Sequence, residues 1–304
     1  MTSNNLPGIN QPNIVVIILT WNQRETTLRC IESVVQENQD EYKVLLWDNG
    51  SEDGTVQAVQ EAFPTVLAHH HEQNLGVAGG RNAAARLATE LLHPTHLLFL
   101  DNDMLVEAGF VRALHKPFID NNRVGQTQAK LRFMHDRDRI NDGGGARINY
   151  VLWKITPVGY GQIDHGQFDQ VRPCNSCGGA MMVRADIFHE LGGFDMVFNP
   201  FGPEDLDFSL RLQEAGYQAL YVPEAVAYHV VSHTFGSGYS EEYARHKSRH
   251  WLVFMRRHAS PLQKIAFYVF GAPYLAIRVF LREARRGNLG AIRGLLQGLL
   301  VQKK

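Results

Sequence analysis

The chain has 304 residues, enough for one large domain or one and a half, and its 44% hydrophobic and 20% charged content is ordinary for a globular protein. A formal net charge of -1 makes no global case for a nucleic-acid partner. Three cysteines, Cys30, Cys174 and Cys177, are too few and of the wrong parity for a secreted disulfide scaffold.

The first dozen residues are polar and carry no charged start or long apolar core, so no signal peptide is expected. Residues 14–19 (Ile-Val-Val-Ile-Ile-Leu) read as a buried parallel strand, far too short to span a bilayer. A helical pattern follows, with Leu28, Ile31, Val34 and Val35 on one face. Residues 43–47 form the second strand, a second helix starts near Asp53 or Thr55, and residues 65–68 form the third strand. Residues 74–80 read as a glycine-containing loop feeding an Ala-rich helix over 82–92, and residues 96–100 are the fourth strand. This alternation predicts an α/β fold with a doubly wound, mainly parallel sheet.

Beyond Asp103 the rhythm changes. Residues 125–133 and 180–183 read as strands, 185–191 as a helix, and a helix opened by Pro203 runs to Gly216. Residues 219–222 and 226–230 read as two short strands, and residues 134–172 show no assignable pattern. From Arg245 the chain is basic, and Glu283 is its only acid. The apolar run 265–281, interrupted by Gly271, Pro273 and Arg278, is slightly short for a span. It reads either as an interfacial helix pair or as a helix docked on the main domain. The expected division is a main domain over 1–240, with halves at 14–103 and 104–240, and a basic helical extension over 241–304.

The strand ends carry the chemistry. Thr20-Trp21-Asn22, Asp48-Asn49, residues 74–82 and Asp101-Asn102-Asp103 each follow a predicted strand. In an open α/β sheet these loops line the edge where ligands bind. Asp101 and Asp103 sit at alternate positions, where two carboxylates meet one hard cation directly or through water. Each loop alone is weak. Asp48-Asn49-Gly50 is a common turn, and the glycines at 76, 79 and 80 match neither a dinucleotide fingerprint nor a phosphate loop. Glu204 and Asp205 fall in a helix's first turn, where the dipole favours acids anyway. His229, in an apolar strand, is also compatible with a core histidine. Cys174 and Cys177 have no second ligand pair and read as ordinary packing, and His69-His70-His71 marks a polar strand end.

Taken in order, these motifs resemble those of glycosyltransferase family 2. They are Asn22, Asp48-Asn49-Gly50-Ser51-Glu52-Asp53-Gly54, Asn74-Leu75-Gly76-Val77-Ala78-Gly79-Gly80-Arg81-Asn82, Asp101-Asn102-Asp103, Cys177-Gly178-Gly179-Ala180, Gly192-Gly193-Phe194-Asp195, Pro203-Glu204-Asp205-Leu206-Asp207 and His229. The order is similar to the rhamnosyltransferase-like and galactofuranosyltransferase-like branches and covers about residues 14–235. The resemblance implies a GT-A fold and inverting transfer from a nucleoside diphosphate sugar to a saccharide or glycolipid acceptor in surface polysaccharide assembly. It implies nucleotide contacts from Thr20, Asn22, Asp48, Asn49, Gly76, Arg81, Asn82, Asp101 and Asn102. Asp101, Asp103 and His229 would hold Mg2+ or Mn2+, Asp205 would be the general base, and Glu204 would orient the acceptor. The segment His233-Thr234-Phe235-Gly236 reads as a flap over the diphosphate. The basic tail suggests peripheral contact with the cytoplasmic membrane face. Two rivals use similar loops: a nucleotide-sugar binding protein without turnover, and a sugar nucleotidyltransferase. The latter would want a glycine-rich basic loop after the first strand, which Thr20-Trp21-Asn22-Gln23-Arg24 lacks.

Overall fold

The computed structural model describes residues 13–36, 41–230 and 240–300. Strands β1 (Ile14–Thr20), β2 (Tyr42–Asp48), β3 (Leu67–His70) and β4 (His96–Asp101) are parallel, connected by helices α1 (Arg24–Val35), α2 (Thr55–Ala62) and α3 (Gly76–Leu92). β1 lies between β2 and β4, which explains its unbroken apolar run: both faces are covered. Val16, Ile18, Leu46 and Leu98 pack on one face, while Val15, Ile17, Leu45 and Phe99 meet the α3 alanines on the other.

The second half adds β5 (Met104–Val106), α4 (Phe110–Asp120), β6 (Val124–Phe133), β7 (Ile140–Asp142), β8 (Ala146–Asn149), β9 (Lys154–Pro157), β10 (Arg172–Pro173), β11 (Ala180–Arg184), α5 (Ala185–Glu190), α6 (Glu204–Glu214) and β12 (Gln218–His229). The main sheet runs β10-β12-β6-β11-β4-β1-β2-β3, with β5 on β12 and β7 on β6. β11 is antiparallel to both β4 and β6, so the sheet is mixed but mostly parallel. β8 and β9 pair as a separate hairpin.

Four expectations change. α3 begins at Gly76, so the expected glycine loop forms the first turns of a helix. Glycines are needed there because the helix approaches β1 closely: a Cβ at Gly80 would lie 2.6 Å from Leu19 Cδ1. β3 is shifted to Leu67–His70. The two strands expected near 219 and 226 are one strand, β12, whose pairing with β6 slips between Val222 and Val226, around Pro223. Residues 134–172, unassigned before, supply β7, β8, β9 and β10.

Past residue 240 come α7 (Glu241–His258), α8 (Pro261–Ala266), a π-helical turn (Phe267–Gly271), α9 (Ala272–Arg285) and α10 (Leu289–Leu300). The expected domain edge at 240 coincides with the start of α7, yet α7 is built into the body: Trp251 and Phe254 share a core cluster with Phe198 and Leu206. The stretch Pro261–Arg285 is continuous helix and, by length and composition alone, long and apolar enough to cross a bilayer. Sequence reading counted only the apolar run 265–281, slightly short for a span, and took Gly271, Pro273 and Arg278 as interruptions. The wide π turn just before Pro273 absorbs the prolyl ring's clash and missing donor, so the helix continues.

Candidate active site

The site lies where the parallel strands end. Register places Thr20 beside Asp48, Asp48 beside His70, and Leu19 beside Asp101. This is the carboxyl edge of the sheet, where ligand sites of open α/β sheets form. A cleft of about 500 Å3 opens there, and Asp101, Asp142, Gly178, Asp205, His229 and Lys247 are among its walls.

Asp205 sits in the first turn of α6 with its carboxylate in the cleft, where it accepts from the Leu206 N–H at 2.6 Å. The glycine motif before β11 makes room for it: a Cβ on Gly178 would lie 2.4 Å from Asp205 Oδ2. Burial pushes the Asp205 carboxyl above the usual carboxylate range, partly opposed by Arg81. Glu204 beside it is pushed up by burial and then by the Asp205 charge. Glu204 does not line the cleft, so the expectation that it orients the acceptor directly needs correction. Its Oε1 accepts from Arg81 Nη1 at 3.2 Å and its Oε2 from the Gly202 N–H at 3.1 Å. Arg81 also donates from Nη2 to Asp101 Oδ1 at 2.5 Å. This buried guanidinium therefore ties the end of β4 to the start of α6. Arg81, expected to contact nucleobase or ribose, has Nη1 and Nη2 each donating to one of these two carboxylates.

Asp103 and His229 meet across the same edge, with His229 Nε2 3.2 Å from Asp103 Oδ2 and His229 Nδ1 3.2 Å from Asn141 Oδ1. Burial opposes a charge on His229, but the Asp103 carboxylate outweighs it and raises the imidazole above its ordinary value. Asp101 lines the cleft with His229. Among the described residues, no group of three His, Cys, Asp or Glu side chains is gathered closely enough to count as a preformed cation cage. The donor chemistry, two carboxylates and an imidazole, nevertheless suits Mg2+ or Mn2+.

The expected nucleotide-binding residues divide into two groups. Asn22 is exposed at the loop after β1, in a left-handed conformation, and its Oδ1 accepts from the Glu52 N–H at 2.9 Å. Asp48 is 1% exposed and lies 2.7 Å from His70 Nδ1, so His70 braces this carboxylate, while His69 and His71 lie against the Trp47 ring. Asn49 and Gly76 shape the loop: Asn49 Nδ2 donates to Gly76 O at 3.1 Å and Asn49 Oδ1 accepts from Leu75 N. Asn82 holds Phe194 through both its N–H and its carbonyl, at 2.9 and 2.7 Å. Asn102 Nδ2 donates to Thr20 Oγ1 and Thr27 Oγ1 at 3.2 and 3.0 Å, in a buried cluster. Thr20, Asn49, Asn82 and Asn102 thus position backbone at the site, with their side chains committed to protein partners. The segment 233–236 lies outside the described residues.

Three residues escaped the sequence reading. Asp142 ends β7 inside the cleft, and burial pushes it up to about 7 although the Gly144 N–H donates to it at 2.8 Å. It precedes Gly143-Gly144-Gly145 in the stretch that showed no assignable pattern. Lys247 and Trp251 come from α7, which the sequence left outside the domain. Cys174 and Cys177 are buried free thiols with sulfurs 3.7 Å apart, consistent with packing.

Asp207, two residues after Asp205, is buried among Arg211, Arg257 and His258. Burial opposes its charge, yet hydrogen bonds from His258, Arg211 and Arg257 hold it down at about 2. Arg257 also reaches Asp195 at 2.9 Å, so α7 clamps the helix that carries Asp205.

Comparison with known proteins follows this geometry closely. The family described as "Glycosyl transferase family 2" matches residues 15–192, more than half of the chain. The chain belongs to glycosyltransferase family 2. A further match, "N-terminal domain of galactosyltransferase", covers residues 166–234. An N-acetylglucosaminyl-diphospho-decaprenol L-rhamnosyltransferase of Mycobacterium tuberculosis is 24% identical over 92% of this chain and 97% of that protein. N-acetylgalactosaminyltransferase 4 of Drosophila melanogaster is 27% identical over 72% of this chain, which spans only 35% of that protein. Among solved structures, GalNAc-T7 with UDP, GalNAc and Mn2+ superposes with a TM-score of 0.67 at 19% identity, over 86% of this chain and 50% of that one. The mannosyltransferase PcManGT from Pyrobaculum calidifontis, with GDP-Man and Mn2+, gives a TM-score of 0.57 at 19% identity, over 97% of this chain and 77% of that one. The fold is therefore GT-A, and this family 2 chain is a sugar-transferring enzyme.

Proposed function

We propose that the enzyme is a metal-dependent, inverting hexosyl- or deoxyhexosyltransferase. It would move a sugar from a nucleoside diphosphate donor to a hydroxyl of a saccharide or lipid-linked saccharide, in surface polysaccharide assembly at the cytoplasmic membrane face. The observation that carries this reading is the Asp205 carboxylate facing the same cleft as Asp101 and His229. The relative that acts on a decaprenol-linked acceptor, aligned over nearly its whole length, supports the acceptor class.

Asn22 and Asp48, at the ends of β1 and β2, would take the nucleoside. A Mg2+ or Mn2+ ion held by Asp101, Asp103 and His229 would stabilise charge developing on the departing diphosphate. Asp205 accepts the proton of the acceptor hydroxyl as that oxygen bonds to the anomeric carbon and the bond to diphosphate breaks. With base and leaving group on opposite sides, one displacement inverts the centre. The products are the glycoside, the nucleoside diphosphate and a proton on Asp205. Arg81 and Glu204 act by positioning Asp101 and α6.

A melting panel of UDP, GDP and dTDP with Mn2+ tests the donor site. Ligand at 100 times its Kd stabilises the fold by about 2.7 kcal/mol, several degrees in a protein of this size. One nucleotide should raise the melting temperature only with Mn2+, and Asp103→Ala should remove that gain. Identical melting across the panel would overturn the donor reading. Release of pyrophosphate in place of nucleoside diphosphate would identify the nucleotidyltransferase alternative.

The membrane contact would come from the Pro261–Arg285 helix, whose Leu262, Phe270 and Ile277 are 78, 70 and 61% exposed and whose end carries Arg282, Arg285 and Arg286. An exposed apolar helix face with basic residues binds anionic interfaces. Phe270→Glu with Ile277→Glu should abolish co-sedimentation with phosphatidylglycerol vesicles without changing nucleotide-dependent melting. Equal sedimentation of both proteins would count against the contact.

A further inference from the structure

Beside the cleft lies a second cavity of about 860 Å3, within the usual small-molecule range. Its walls come mainly from α9 and α10, including Leu275, Ile277, Phe280, Leu295 and Leu299. It exists because of how α10 docks. Ala291, Gly294 and Gly298 form the buried face of α10, and a Cβ on Gly294 would lie 2.0 Å from Glu241 O, and one on Gly298 2.0 Å from Ser248 Oγ. α10 therefore meets α7 through its smallest residues, and its leucines are left to line a chamber rather than fill a core.

Two residues, Lys247 and Trp251, line both this cavity and the catalytic cleft. Trp251 stacks at 6.4 Å on Trp153, which stacks at 5.1 Å on Phe267, giving the junction a rigid aromatic floor. The charges are sharply divided. Lys154, Lys247, Arg278 and Arg282 line the cavity, and among the described residues no carboxylate does. The carboxylates Asp101, Asp142 and Asp205 lie on the other side of Lys247, in the cleft. The buried Trp153 Nε1 donor has no hydrogen-bond partner among the described residues.

We propose that this cavity receives the hydrocarbon chain of a lipid diphosphate-linked acceptor, whose diphosphate lies at Lys247 and whose sugar hydroxyl reaches Asp205. The inference rests on the glycosyl-transfer reading above and gives that acceptor a place. The series apolar wall, cation, carboxylate base matches the order of such a molecule: chain, diphosphate, reacting hydroxyl. A free saccharide would use the cleft alone and leave the apolar chamber without a role.

Titration of the full chain with geranylgeranyl diphosphate tests this, with geranylgeraniol and inorganic diphosphate as its two halves. The intact probe should bind about tenfold or more tightly than either half. Ala276→Trp, which fills the cavity, and Leu296→Glu, which places a carboxylate on its half-exposed wall, should each weaken the probe about tenfold or more. Nucleoside diphosphate binding with Mn2+ should stay unchanged in both and reports that they fold. Unchanged probe affinity in the two folded variants would overturn the assignment, as would equal binding of inorganic diphosphate. Nucleotide binding without any probe binding would overturn the cavity assignment and leave glycosyl transfer standing. Absence of nucleotide binding in the wild type would overturn both. A dimer broken by Leu296→Glu with probe affinity unchanged would assign the face to a second copy instead.

Discussion

Asp205→Asn should lower kcat by about 10²–10⁴-fold, the range associated with loss of a positioned general base, while nucleoside diphosphate binding stays within about twofold. The isosteric amide keeps the space left by Gly178 and cannot accept the hydroxyl's proton. A falling kcat with unchanged nucleotide affinity marks an interaction made in the transition state. Retained turnover would place the base elsewhere, and the buried Asp142 would be the next residue to test. The wild-type pH profile provides a second readout. Burial raises the Asp205 carboxyl above its ordinary range, so the base is protonated further up the pH scale than an exposed aspartate. The rate should therefore rise with pH at a midpoint above the ordinary carboxylate value, and this ascending limb should vanish in Asp205→Asn.

Arg81→Leu should destabilise the fold by about 3–5 kcal/mol, the scale for removing one partner of a buried ion pair. Arg81 and Glu204 are 8% and 6% exposed at the side chain, and Asp101 is 35% exposed. Without the guanidinium, Glu204 and Asp205 are adjacent buried carboxyls with no compensating cation between them and β4. Urea unfolding measures the loss, and its pH dependence fixes the cause. Burial already raises Glu204 and Asp205 in the folded protein, so the native state binds protons that the unfolded chain releases. Stability from such groups is complete at acidic pH and declines as pH rises from the ordinary carboxylate range through the raised folded values. In Arg81→Leu that decline should steepen, and Glu204→Gln added to it should restore part of the loss. A loss that does not vary with pH would mean that Arg81 acts through packing alone.

The N-terminal half of the sheet was legible because its central strands are buried on both faces and write continuous apolar runs, as in residues 14–19 and 96–100. What remained hidden had local causes. The glycines of α3 mimic a loop, but Gly80 is small because Leu19 lies against it. Pro223 splits β12 in the sequence, whereas in three dimensions it marks a slip in one continuous strand. Residues 134–172 contribute strands of two to four residues, too short to show a period, and Asp142 was lost with them. Among site residues, Asp205 and His229 were found in the expected cleft, while Arg81 and Glu204 turned inward to each other. Sequence order can propose that four polar residues belong to one site. It cannot tell which of them face the ligand and which hold the wall, since that depends on pairings more than a hundred residues apart.

The grip of α7 on Asp207 has a practical bearing on protein engineering. The helix that carries Asp205 is anchored by Arg257 and His258, in the last turn of α7. A shortened, more soluble version of this enzyme must therefore be cut after residue 259. A cut at the apparent domain edge near 240 would remove the bolt from α6, and an inactive fragment made that way would say nothing about the role of the greasy tail.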